Sequence, residues 1–490
     1  MISTWSLALA RFRTAQAPLC AVLLALLALC APSVAAAGRI EAGTFTAHST
    51  FDDPTPRRVT FQNPFDVPPI VVVLSDIAGS NSAALRITNV TTTGFDELIL
   101  EPDAWDGPHV AQAIHYIAVE PGRHVLPGGS IIEAGRTVTS AIQRGSGVAG
   151  AASWQSVSFS SALPTTPSVI SQIQSANSET RNVASQASRP FITATLSGLS
   201  PSGFLVALER SEADEGPAPS VEEIGWIALP AGGTGVFQAI NSAAISWSAQ
   251  TTSANIGGWD DGCFTNSFGL TSASAVVVAK KVTRNGGDGG WLRRCSLSSS
   301  QIGLVVDEDT SNDTERSHTN ESASIFAFSD PFHANLTASL TVTKVRLATD
   351  DGTGGDLGIP GAVVTYLITV RNTGNAPPDE DSVVVTEELP TGLDFLVSDI
   401  GGSGSGPVDF TEGTPATGLI CTFASLGSPS DCLSFSTDGS NYTYTPSDSG
   451  NGTDPGVRFV QIRPSGFMSG DTGSGAPQFT VRLRARVDAD

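Results

Sequence analysis

Apolar and polar side chains alternate most clearly near the C-terminal end of the chain. There Phe479, Val481, Leu483, Ala485 and Val487 interleave with Thr480, Arg482, Arg484, Arg486 and Asp488. A period of two predicts an antiparallel strand with one face buried and the other in water. The same rhythm runs through Val364, Tyr366, Ile368 and Val370 and stops at the turn signal Asn372-Thr-Gly-Asn375, and 383–389 reads as another strand. Upstream, 57–75 reads as a strand pair broken at Pro68-Pro69. Segment 84–89 leads into Thr-Thr-Gly94-Phe95, 96–101 is extended, and 113–120 closes the set. The run 275–279 is wholly apolar. No stretch keeps a helical period with helix-forming residues, and 50 glycines and 30 prolines punctuate the chain, so the pattern predicts an all-β protein.

Part of this pattern is written three times, with a period of about 100 residues. Each copy opens on an aromatic-led strand: Phe61 with Phe65 and Pro68-Pro69, Phe159 with Leu163 and Pro167, and, in a drifted form, Phe264 with Phe268. Each closes on a second strand that aligns without gaps, through Tyr116-Ile-Ala, Trp226-Ile-Ala and Ile325-Phe-Ala. Self-similarity of this length implies a module with its own core in each copy. The expected organisation is a targeting segment over 1–37, modules over 38–121, 151–232 and 233–333, a Gly-rich linker with one hairpin over 122–150, and a further sandwich over 334–490.

Arg11 and Arg13, the apolar run 19–29 and the small residues Ala35-Ala36-Ala37 have the form of a cleaved export signal ending before Gly38, with an uncleaved N-terminal anchor or lipidation at Cys30 as the alternatives. No later segment is apolar enough to span a bilayer. The chain is therefore expected to be secreted, outside the cell or in the periplasm. Four of six cysteines lie beyond the signal in two sequence-local pairs, Cys263 with Cys295 and Cys421 with Cys432, which suits disulfides in an exported protein. The first closes a loop of about 30 residues, worth on the order of 3 kcal/mol. A formal charge of −22 repels phosphate backbones and excludes nucleic acid as a partner.

The three modules resemble the H-type lectin family. The carrying residues are Val59-Thr-Phe61, Phe65, Pro68-Pro69-Ile-Val, the stretch from Arg86 to Gly94-Phe95 and Tyr116-Ile-Ala. In the second copy they are Trp154, Val157, Phe159, Pro167, Gly203-Phe204 and Trp226-Ile-Ala. The third departs most, with Ser300-Gln301-Ile302 where Gly-Phe is expected. The resemblance implies antiparallel β-sandwiches that bind galactose-type sugars near the edges between subunits of a trimer. Three tandem copies then imply an intramolecular pseudo-trimer, with beads on a string and a homo-oligomer as the other arrangements. The tail from Leu336 is similar to bacterial Ig-like repeats of surface proteins (domain of unknown function 11 type), through 362–375 and 383–393, which implies a spacer. The expected fold is thus all-β, as tandem antiparallel sandwiches: three H-type-lectin-like and one immunoglobulin-like.

A sugar site needs planar hydrogen-bonding groups for hydroxyls and an aromatic face for the ring. Arg86, Asp103, Trp105 and His109 meet this in the first module, and Trp291, Asp309, Asp313 and His318 in the third. The bland alternative for each group is a loop covering the end of a sandwich. Glu209, Glu212, Asp214 and Glu215 fill the corresponding loop of the second module, with no aromatic or histidine, and read as structural. Asp307, Asp309 and Asp313 are candidate calcium ligands through their oxygens, although Asn312 and His318 break the EF-hand spacing, and a solvated acidic loop is the alternative. No cofactor is required by any motif. There is no G-x-S-x-G, H-E-x-x-H or P-loop, so a non-enzymatic role is expected. The leading expectation is a secreted adhesin-type protein that binds glycans or cell-surface polysaccharide. The alternative is a structural component of the envelope or matrix without a working sugar site.

Overall fold

The computed structural model describes residues 38–47, 57–79, 81–102, 109–144, 152–178, 191–210, 219–287, 289–310 and 314–488. Strands dominate, and one 3-10 turn, Trp259–Asp261, is the single helical element among the described residues. The first unit contains β1 (Gly38–Ala47), β2 (Arg57–Thr60), β3 (Ile70–Ser75), β4 (Ala84–Thr91), β5 (Gly94–Leu100) and β6 (Gln112–Val119). Strands β1, β6 and β3 form one sheet, and β2, β5 and β4 form the sheet that faces it. Between them lie Phe61, Phe65, Phe95, Tyr116 and the alternate valines of β3, all buried. The Thr-Gly-Phe signature has a steric cause. A Cβ at Gly94 would stand 2.1 Å from the Val59 carbonyl, and one at Gly203 would stand 2.1 Å from that of Val157.

The same order of strands follows twice more. The second unit has β7 (Gly122–Val125), β8 (Ile131–Thr139), β9 (Ile142–Gln143), β10 (Gln155–Ser158), β11 (Pro167–Ile173), β12 (Ile192–Ser200), β13 (Gly203–Arg210) and β14 (Glu222–Pro230). The third has β15 (Thr234–Gln238), β16 (Ala244–Thr251), β17 (Phe264–Ser267), β18 (Val276–Lys281), β19 (Trp291–Leu297), β20 (Gln301–Asp307), β21 (Ala323–Phe328) and β22 (Phe332–Leu336). Their sheets are β7-β8-β14-β11 against β10-β13-β12, and β15-β16-β21-β18 against β17-β20-β19.

Two expectations need correction. Segment 122–150 is more than a linker with a hairpin. It supplies β7, β8 and β9, and β8 pairs with β14 from Glu133↔Ala228 to Thr139↔Glu222, as β1 pairs with β6 in the first unit. Its glycines had hidden the alternation. The drifted third copy also shifts by four residues. The amides of Phe61, Phe159 and Phe268 donate to Thr93, Ser202 and Ser300 respectively, so Phe268, rather than Phe264, occupies the place of Phe61.

The strand after each unit's last one pairs with the next unit. Strand β7 leaves β6 and joins β8, and β15 leaves β14 and joins β16. Strand β22 leaves β21 and returns to β1, with Gly38↔Leu336 through Ala42↔Phe332. The exchange closes a ring of three units within one chain. Alternate residues of β3, β11 and β18 meet at its centre: Val72, Ile170 and Val278 are all buried in one cluster. Polar groups repeat the ring. The Val71 amide donates to Gln174 Oε1 (2.9 Å), Val169 to Ser324 Oγ (2.9 Å) and Val277 to His115 Nδ1 (2.9 Å). Where the second unit has Gly225 at the place of His115 and Ser324, the Gln174 side chain fills the space, 2.0 Å from where a Cβ would be.

The tail comprises β23 (Leu340–Asp350), β24 (Val363–Asn372), β25 (Val385–Glu388), β26 (Leu393–Leu396), β27 (Val408–Glu412), β28 (Leu433–Ser436), β29 (Thr453–Asp454), β30 (Phe459–Ile462) and β31 (Gln478–Val487). Strands β23-β24-β31-β26-β29, with β27 on β31, face β25-β30-β28 across a core of their own. The alternation read in β31 is obeyed: Phe479, Val481, Leu483 and Ala485 are buried. Asn375 ties the tail to the ring through the Gln238 carbonyl (2.7 Å). Both disulfides form, Cys263 to Cys295 and Cys421 to Cys432, with Cα separations of 5.9 and 5.2 Å.

Candidate functional site

Of the residues proposed for ligand contact, those the structure describes, Arg86, His109, Trp291, Asp309 and His318, are all buried, and Arg86 and Trp291 sit at seams between units. Register places Arg86 opposite Leu98 and Arg293 opposite Val305, so these two arginines occupy the same position in the first and third units. Both reach across a seam. Arg86 Nη2 donates to the Ile192 carbonyl of the second unit (2.7 Å). Arg293 donates to Asp307 (2.8 Å) and to the carbonyls of Asp76, Ala78 and Asn81 in the first unit (3.2, 3.2 and 3.0 Å).

Asp307 accepts from Arg293 on one oxygen and from Arg316 on the other (3.0 Å), and is fully buried. The indole of Trp259 lies under both guanidiniums, 3.9 Å from Arg316 and 5.4 Å from Arg293. Two cations on one buried carboxylate make an ion-pair anchor, and this arrangement differs from the oxygen cage proposed for calcium. Asp309 is also buried, and Asp313 lies outside the described residues. Among the described residues no group of three His, Cys, Asp or Glu side chains is placed to hold a metal.

Trp291 is a packing residue. Its Nε1 donates to the Ala83 carbonyl (2.8 Å), its ring centroid lies 5.0 Å from Phe191, and Leu98 and Leu100 complete the cluster. It joins all three units and offers no free face to a sugar. His109 is buried beside Gly79, with Nδ1 2.8 Å from the Val110 carbonyl, and burial pushes its imidazole below the ordinary value. His318 stands between Glu308 on Nδ1 and Glu321 on Nε2 (3.2 Å). Burial alone would lower its pKa, but the hydrogen bonds that its ring N–H groups donate to Glu308 and Glu321 outweigh burial and hold it at about 8. Asp103 and Trp105 lie outside the described residues.

Sequence reading missed three groups. Arg293 would have been found by aligning Phe268 with Phe61, which brings it into register with Arg86. Glu209, read only as structural, is fully buried between Lys281 (2.9 Å) and Arg284 (2.8 Å), where the second and third units meet. Arg136, in the strand taken for linker, donates to the carbonyls of Pro68 (2.6 Å) and Pro69 (2.8 Å) and pairs with Glu223 (3.0 Å).

Arg136 also lines an open groove of about 660 Å³ between the first and second units, with Asn177, Glu222, Glu223, Val138 and Val221. Val138 and Val221 are exposed, and Asn177 is exposed enough for its amide to reach the Val221 carbonyl (2.8 Å) at the rim. Charged, amide and apolar groups side by side suit a polyhydroxylated ligand. Within the groove the Ser175 hydroxyl donates to Glu222, which also accepts from the Ser178 amide (2.7 Å). No helix among the described residues is long and apolar enough to cross a membrane. A comparison with curated proteins finds no match. Residues 56–119, from the residue before β2 to the end of β6, match the H-type lectin domain, and this match supports a carbohydrate-binding, lectin-like function.

Proposed function

We propose that the chain is a secreted, non-catalytic glycan-binding protein of adhesin type, in which three H-type-lectin-like units form an intramolecular pseudo-trimer and an Ig-like tail acts as spacer. The observation that carries this reading is the lectin-domain match over residues 56–119. The closed strand exchange supports the extension to the other units, because it reproduces within one chain the threefold assembly that such modules reach by trimerisation. The export signal and two disulfides support an extracytoplasmic location. The binding surface is the groove between the first and second units, with Arg136 and Glu223 for hydroxyls and Val138 and Val221 against the apolar face of the ring. Trp105 and Asp103, outside the described residues, remain proposed contacts.

The test is a glycan array with the exported chain, followed by calorimetry on any hit. Binding that weakens at least tenfold in both Arg136→Ala and Trp105→Ala, with folding intact, supports the reading. A second reading, a structural envelope or matrix component, is favoured by one observation: Arg86 and Arg293 both donate to protein carbonyls across the seams. A folded protein that binds no glycan on the array supports that alternative.

A further inference from the structure

At one end of the ring axis, past the apolar layer of Val72, Ile170 and Val278, the side chains of Leu74, Gln172 and Lys280 meet. The three positions correspond by register: Leu74 pairs with His115, Gln172 with Gly225 and Lys280 with Ser324. They border a cavity of about 50 Å³ that all three units line, together with Arg86, Ile192 and Trp291. Lys280 retains some accessible surface, and the space it borders is this cavity.

The lining offers Lys280 no carboxylate among the described residues. It contains Arg86, Lys280 and Lys281. Lys281 is matched by Glu209 at 2.9 Å. Arg86 donates to the Ile192 carbonyl. Lys280 Nζ donates to Gln172 Oε1 (2.8 Å), and Gln172 is itself held by its amide on the Leu85 carbonyl (2.9 Å), so the acceptor is fixed and neutral. An ammonium carries three donors, and a neutral acceptor does not balance its charge.

We propose that this cavity is a binding site for a small monovalent inorganic anion, chloride in the exported protein, held by the Lys280 ammonium where the three units converge. The volume sets the class. It admits an occupant of water size and is several times smaller than the roughly 300 Å³ at which organic ligand pockets begin, so a sugar is excluded. Burial lowers the Lys280 amine to about 7, which is the behaviour of a lysine without a counter-charge; an anion beside it would restore the ammonium. The site binds the folded ring and not the separated strands, so its occupant stabilises the ring by mass action.

The experiment uses the full exported chain. Thermal unfolding is followed as chloride replaces gluconate at constant ionic strength, and crystals are soaked in bromide for an anomalous map. The expected results are a melting temperature that rises by a few degrees and saturates with chloride, and a bromide peak within hydrogen-bond distance of Lys280 Nζ. In Lys280→Leu, which places the first unit's residue in the third, both effects vanish. Lys280→Gln, the second unit's residue, serves if that variant does not fold. A melting temperature indifferent to chloride, with no bromide at Nζ, overturns the proposal, and so does bromide found only elsewhere.

Discussion

Glu97 shows most directly what a single side chain costs this fold. It lies three residues after Gly94 on β5, where β13 has Val206 and β20 has Leu304, and it is fully buried. Neither carboxyl oxygen meets a donor among the described residues. Burial, opposed by Arg57, raises its pKa to about 8. The folded protein therefore keeps a proton that the unfolded chain releases near 4.5. Stability should fall as pH rises between about 4.5 and 8. Glu97→Leu, the third unit's own choice, should raise the melting temperature at pH 7.5 and flatten that slope; urea titrations at pH 5 and 8 would measure both, and an unchanged slope would refute the assignment. His318 adds to the same trend. Its folded-state pKa of about 8 lies above the ordinary 6.5, so its contribution is complete below 6.5 and lost as pH passes through 8. His318→Asn should lose stability at pH 6 and much less at pH 9.

At the scale of elements, the exchanged strands do what a linker would not. Each of β7, β15 and β22 covers the edge that β8, β16 or β1 would otherwise expose, so ring closure removes three pairing hazards at once. Phe332 anchors the last exchange between Phe237 (4.9 Å) and Phe328 (5.1 Å). Phe332→Ala should cost on the order of 3 kcal/mol. The diagnostic consequence is remote: hydrogen exchange at β1, in the first unit, should accelerate although the substitution lies in a strand leaving the third. The gapless last-strand alignment through Tyr116, Trp226 and Ile325 made β6, β14 and β21 legible, because those strands are buried on both faces. Strand β8 was missed because Gly135 sits in it. A Cβ there would come 2.5 Å from the Trp226 ring, so the glycine reflects packing in a strand rather than a turn.

At the scale of the whole molecule, the ring is held by an apolar axis and by the three amide contacts around it. Gln174→Ala would leave the Val71 amide unpaired and empty the space over Gly225, at a cost of about 1–3 kcal/mol. Gln174→Glu keeps an acceptor in place but adds a buried charge, so it should not restore full stability. Solution scattering should give a compact three-unit body with one appended sandwich. A profile for four separated beads would contradict the closure of β22 on β1.

The amino-acid sequence by itself determined what local physics controls. Period-two alternation specified strands, glycine and proline set their ends, and repeated aromatics marked three cores. Residues such as Phe61, Tyr116 and Phe479 announce their burial because the pattern around them has a single buried face. The tertiary structure alone decided which edges met. Whether 332–336 returns to 38–42, whether Arg86 and Trp291 face a ligand or a neighbouring unit, and whether Lys280 lies in solvent or on an axis all depend on contacts between residues up to about 300 positions apart. Such contacts leave no periodic trace, because nothing in a strand's alternation records which partner will cover its edge.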